Sequence, residues 1–163
     1  MTQDIKTQVV LYDEKEIIRY LETMNSNSSF TVKDLIYYPY MFFEHSFERK
    51  NPLSPLKGNI GSTIDAVSGI AAMVDKTPVF ITDSIALEKI IPIQLDQEKA
   101  KVLADDHLFR VISSKIKVLM TPKVELLHNV LFYRPYWIVE GKRKHKKPFS
   151  LVVDSISGKF HPL

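Results

Sequence analysis

The chain has 163 residues, 45% hydrophobic and 25% charged, with a formal net charge of +3. A chain of that size buries roughly 70% of its unfolded surface and folds without cross-links. It has no cysteine, which excludes disulfides and thiolate metal sites, and no run approaches the ~20 apolar residues of a transmembrane segment.

The first residues, Met1-Thr2-Gln3-Asp4-Ile5-Lys6, are polar. No apolar stretch of signal-peptide length follows, so the expectation is a cytoplasmic chain, or one trimmed of its leader. Gln8 to Tyr12 reads as a short strand or extended lead-in. Asp13 is placed as an N-cap, with Glu16 three residues on completing a capping box. Ile17, Ile18, Leu21 and Met24 follow at helical spacing, and Asn25-Ser26-Asn27-Ser28-Ser29 ends the helix with turn chemistry. Phe30 to Phe47, aromatic and β-branched, predicts a long strand. Residues 51–58 read as a loop, Ile60 to Val67 as a second strand, and Ile70 to Ile81 as a third that Pro78 interrupts.

Asp96 is the next N-cap. Ala100, Leu103, Ala104, Leu108, Val111 and Ile112 make one apolar stripe of a helix that runs to about Lys117. Leu126 to Glu140 then reads as a strand, Phe149 to Asp154 as another, and Lys159 onward as a short last one.

Two blocks of this chain repeat in order. Leu35-Ile36-Tyr37-Tyr38-Pro39-Tyr40-Met41-Phe42-Phe43-Glu44 aligns without a gap to Leu131-Phe132-Tyr133-Arg134-Pro135-Tyr136-Trp137-Ile138-Val139-Glu140. Leu, Tyr, Pro, Tyr and Glu are identical in place. Ile64-Asp65-Ala66-Val67-Ser68-Gly69 then aligns to Val153-Asp154-Ser155-Ile156-Ser157-Gly158. A capped helix precedes each copy. The fold class expected is α+β, with two αβββ repeats over 1–83 and 84–163 and antiparallel sheets packed against helices. Asp-x-x-Ser-Gly reads as a turn: the carboxylate accepts backbone N–H groups and glycine supplies positive φ. Pro39 and Pro135 cannot donate to a ladder and are expected at a bulge or bend. Trp137, mid-strand between apolar neighbours, is expected to be largely buried.

Tyr133-Arg134-Pro135-Tyr136-Trp137, followed by Leu151 to Lys159, resembles the strand–hairpin–strand signature of bacterial PepSY-like domains. The resemblance covers about 40 residues in each half. It implies a small, duplicated α+β module that inhibits or regulates by interaction, with no catalytic residues to carry over.

Candidate chemistry is sparse. The five glycines form no phosphate-binding loop of the Rossmann or P-loop type, and no serine lies in a nucleophile elbow. His45, His107, His128, His145 and His161 form no paired motif and read as structural. No cofactor, metal ligand or catalytic residue is assigned, and an enzyme is not the leading expectation. Glu44 and Glu140 occupy equivalent positions, as do Tyr40 and Tyr136, so these four would line a site between the repeats if the copies face each other. The basic run Lys142, Arg143, Lys144, His145, Lys146, Lys147 falls where the second hairpin turns. It is the main source of the charge asymmetry, −3 over 1–83 against +6 over 84–163. Three functional readings follow. The first is a non-enzymatic interaction module with a protein partner or a second copy of itself. The second is nucleic-acid or other polyanion binding through Lys142, Arg143, Lys144, Lys146 and Lys147. The third is a small-molecule binder or enzyme with a site between the repeats.

Overall fold

A computed structural model describes residues 1–49, 56–115 and 123–163. The fold is mixed α+β. In chain order it runs β1 (Thr2–Thr7), α1 (Glu14–Met24), β2 (Ser28–Arg49), β3 (Leu56–Asp65), β4 (Ala71–Val74) and β5 (Ile81–Ala86). A 3-10 turn (Leu87–Lys89) leads on to α2 (Gln97–Lys115), β6 (Lys123–Arg143), β7 (Phe149–Asp154) and β8 (Phe160–Pro162). Strands follow one another in the order β4-β3-β2-β6-β1-β5, with β7 on β6 and β8 on β7. The β1–β5, β2–β3, β3–β4, β6–β7 and β7–β8 ladders are antiparallel, and Thr7 meets Tyr133 in a parallel bridge.

Both helices begin as their sequences dictate. Asp13 caps α1 through the Glu16 N–H at 2.9 Å, and the Glu16 side chain returns to the Asp13 N–H at 3.2 Å. Asp96 accepts from the Lys99 N–H at 2.8 Å. Ile17 and Leu21 of α1 are buried while Met24 is exposed, so its stripe is shorter than its spacing suggests. Ala100, Ala104, Leu108 and Ile112 of α2 are buried, a clean i, i+4 row. The expected end of α2 near Lys117 and most of the 51–58 loop lie outside the described residues.

Two strands had no counterpart in the reading of the sequence. β1 and β5 pair with each other from Thr2↔Ala86 to Thr7↔Ile81, yet only Ile5, Thr7 and Ile85 among them are buried. A strand exposed along most of its length carries no hydrophobic alternation to read. The third strand expected over Ile70 to Ile81 ends at Val74, ahead of Pro78, and β5 takes up after it.

The chain packs as two compact units of interleaved segments. Unit 1 comprises Met1–Tyr38, Val79–Ile91 and Tyr133–Leu163; unit 2 comprises Pro39–Pro78 and Pro92–Phe132. This differs from the division at 83/84 expected from the repeats. The reason is that β2 and β6 are too long for one unit, so each contributes its two ends to different units.

In unit 1, Ile17 and Leu21 of α1 pack with Phe30, Val139, Leu151 and Val153. In unit 2, Ala100 and Ala104 of α2 pack with Met41, Phe43 and Ile64. α1 therefore covers the β6–β7 hairpin, and α2 covers the β2–β3 hairpin. The extended segments ahead of the helices do the same. Leu11 and Tyr12 donate to the Ser155 carbonyl at 3.1 and 2.8 Å, and Gln94 and Leu95 donate to the Ala66 carbonyl at 2.9 and 3.0 Å.

The two Asp-x-x-Ser-Gly segments form closely similar turns. Asp65 Oδ1 accepts from the Val67 and Ser68 N–H groups at 2.8 and 2.9 Å. Asp154 accepts from the Ile156 N–H and the Ser157 hydroxyl, both at 2.9 Å. Gly69 and Gly158 hold φ of 80° and 76°, the left-handed conformation the turn requires. Pro39 and Pro135 each precede the first rung of a hairpin ladder, Tyr40↔Asp65 and Tyr136↔Asp154. The Pro39 and Pro135 carbonyls accept from the Ala66 and Ser155 N–H groups at 3.1 and 3.3 Å, and the return bond that proline cannot donate is replaced by those from the segments ahead of the helices to the Ala66 and Ser155 carbonyls.

Candidate functional site

The hairpin joining β6 to β7 carries the basic run. Lys142 through Lys147 are all exposed, and the backbone reverses at His145, whose φ of 64° is positive. The Lys146 N–H closes the turn on the Arg143 carbonyl at 3.2 Å. None of the five cationic side chains here enters an ion pair with a described residue. Arg143 lies with its guanidinium carbon 5.5 Å from the centre of the Phe149 ring. That distance is within cation–π range.

The base of the hairpin is shaped by Gly141. A Cβ there would run into the Phe149 ring. The ring packs edge-on against Phe30 at 6.1 Å, so the basic tip is anchored to the apolar core of unit 1.

Beside the tip runs a groove of about 520 Å³, lined by residues 26–29 and 142–145. The sequence suggested only turn chemistry for the Ser-Asn run. The fold brings it against the basic hairpin, which sequence spacing could not show.

Glu44 and Tyr40 belong to unit 2, and Glu140 and Tyr136 to unit 1. Glu44 accepts from the Asn59 amide at 3.3 Å and pairs with His128 Nε2 at 2.8 Å. Tyr40 stacks on Phe132 with ring centres 5.7 Å apart. Glu140 is half-buried opposite Ser150 on β7, and Tyr136 meets Tyr38 edge-on at 6.1 Å. Each glutamate thus has its own setting on its own strand.

A second polar feature escaped the sequence. His45, 1% exposed, points Nε2 at Asp105 Oδ1, 3.1 Å away. Asp105 lies on the outer side of the apolar stripe of α2, and no local motif links it to residue 45. The pair borders a cleft of about 320 Å³ whose walls include Leu108, Ile112 and Val124. Among the described residues, no group of three or more His, Cys, Asp or Glu side chains is placed to hold a metal ion. Tyr37 and Tyr133 are buried deeply enough that loss of hydration pushes both phenols above their ordinary range.

No described helix is long and apolar enough to cross a membrane. No family model, curated protein or solved structure matches this chain.

Proposed function

We propose that this chain is a non-catalytic interaction module of two αβββ repeats, similar to the bacterial PepSY-like domains, which meets a polyanionic partner through the hairpin at 142–147. One observation carries the reading. Five formal positive charges within six residues stand exposed on a turn, and among the described residues none of them enters an ion pair. A solvated surface patch commonly mixes charges of both signs, so an unneutralised run is suited to an anionic partner.

The recurring turn geometry at Asp65 and Asp154 supports the repeat. The regulatory, non-catalytic character comes from the resemblance alone.

Salt dependence tests the contact. Binding of a fluorescent single-stranded oligonucleotide should weaken steeply as salt rises, with a log–log slope near −0.7 per neutralised phosphate. Replacing Lys142, Arg143, Lys144, Lys146 and Lys147 together by Ser should abolish binding without lowering Tm. Absence of binding at ~50 mM salt, where phosphate contacts are strong, would defeat the reading.

A further inference from the structure

Ser28 is among the residues that line the groove beside the basic tip; it is 8% exposed, and its buried Oγ has no hydrogen-bond partner among the described residues. Its backbone N–H is already spent on the Asn25 carbonyl at 3.2 Å, while the hydroxyl is unsatisfied. A buried hydroxyl without a partner is costly, and a bound group that accepts its proton would remove that cost. Lys142, Arg143 and Lys144 line the same groove, with the Arg143 guanidinium over the Phe149 ring. The hydroxyl and the cations are all hydrogen-bond donors, and the anion they suit is tetrahedral and rich in acceptor oxygens.

We propose that this groove holds a backbone phosphate of single-stranded nucleic acid. Rotation of the Ser28 side chain brings Oγ to one phosphate oxygen, Lys142 and Lys144 neutralise the charge, and Asn27, which lines the same groove, reaches the sugar–phosphate edge. This rests on the polyanion reading above and adds to it a defined subsite. The shape favours a strand over a duplex, because a cationic groove follows a single backbone. The tip favours nucleic acid over a bilayer. Residues 142–148 contain no apolar side chain other than proline, so nothing there would enter the acyl region.

The experiment uses the whole chain and a short fluorescent oligothymidylate at ~50 mM salt, with inorganic phosphate as competitor. Ser28→Ala should weaken binding about tenfold, the loss expected for a hydrogen bond to a charged group. It should not lower Tm, because the hydroxyl it removes is unsatisfied in the free protein. Asn27→Ala, at an exposed position, should weaken binding severalfold, also at unchanged Tm. Millimolar phosphate should displace the oligonucleotide from the wild type and do so less well from Ser28→Ala.

The outcomes separate the two readings. If the wild type binds and the fivefold Ser variant does not, while Ser28→Ala and Asn27→Ala bind like the wild type, the subsite is wrong and the polyanion reading stands. If the wild type does not bind, both fall. Binding to phosphatidylcholine–phosphatidylserine vesicles with none to the oligonucleotide overturns the proposal in favour of a membrane surface. A loss confined to Ser28→Ala and accompanied by a lower Tm overturns it in favour of a structural role.

Discussion

Arg134 and Asp154 are joined by a forked ion pair. Arg134 Nη2 stands 2.7 Å from Asp154 Oδ2, and Nε donates to both carboxylate oxygens at 3.1 and 3.0 Å. The same carboxylate holds the turn through Ile156 and Ser157. Arg134 is the position at which the two aromatic blocks differ most, standing where the first block has Tyr38. The side chains are 26% and 13% exposed, sheltered enough for the pair to count. Arg134→Ala should destabilise unit 1 by about 1–3 kcal/mol. Asp154→Ala should cost more, because it also strips the turn of its acceptor. Urea melts of the single and double variants check this, and additive effects would show that the two side chains do not interact.

Gly141→Ala should be markedly destabilising, by about 1–3 kcal/mol, because the added methyl displaces the Phe149 ring from its place. The strand backbone at Gly141 has ordinary φ, so the effect is steric rather than conformational. Gly141→Ala combined with Phe149→Leu should recover much of the loss, since the smaller side chain leaves room. A single variant as stable as the wild type would refute the packing argument.

Trp137 is half-buried rather than fully enclosed, packed at the edge of the unit 1 core with its indole N–H donating to the Tyr12 carbonyl at 2.9 Å. That bond ties β6 to the segment leading into α1. Trp137→Phe keeps a ring and removes the donor, and should cost about 1 kcal/mol. Trp137→Ala should cost at the low end of, or below, the roughly 3–5 kcal/mol of a fully buried site. Trp137 is the chain's sole tryptophan, so its emission reports this site directly. Iodide quenching should be partial, and complete quenching would place the ring in open solvent.

Stability should depend on pH through Asp34 and Lys89, whose side chains meet at 2.8 Å. The Lys89 hydrogen bond, aided by the Leu35 N–H, holds the Asp34 carboxyl below its ordinary 3.8. The Asp34 partner holds Lys89 above its ordinary 10.5. The stabilisation from a depressed carboxyl is present above its unfolded value and lost as pH falls through the folded one. That from a raised ammonium is present below its unfolded value and lost as pH climbs through the folded one. The pair therefore contributes between about pH 4 and 10 and fades at both ends. Both side chains are 42% exposed, so solvent screening limits the gain to under about 1 kcal/mol. Asp34→Asn should remove this component, and thermal melts in which the variant tracks the wild type at pH 7 would refute it.

Much of the local structure could be read from the chain alone. Asp13 with Glu16 specifies a helix start because the capping partners lie within three residues. Asp65 to Gly69 and Asp154 to Gly158 specify turns because carboxylate, N–H groups and glycine all sit in one short segment. The basic tip was legible because like charges in sequence stay together on a loop. What escaped depends on contacts between residues far apart in the chain. β1 and β5 are stabilised by each other's backbone rather than by an apolar face, so neither carries a pattern of its own. The His45–Asp105 pair spans 60 residues, and Ser28 and Lys142 come to line one groove only through the fold. The same holds for which helix covers which hairpin. Both helices have an apolar stripe and both hairpins an apolar face, so local pattern allows either pairing. Only the tertiary structure sets α1 on the Val139–Leu151–Val153 surface and α2 on Met41, Phe43 and Ile64. The physical reason is that hydrophobic burial is non-directional, and the choice falls to backbone bonds such as Tyr12 to Ser155 and Leu95 to Ala66, which exist only once the chain has folded.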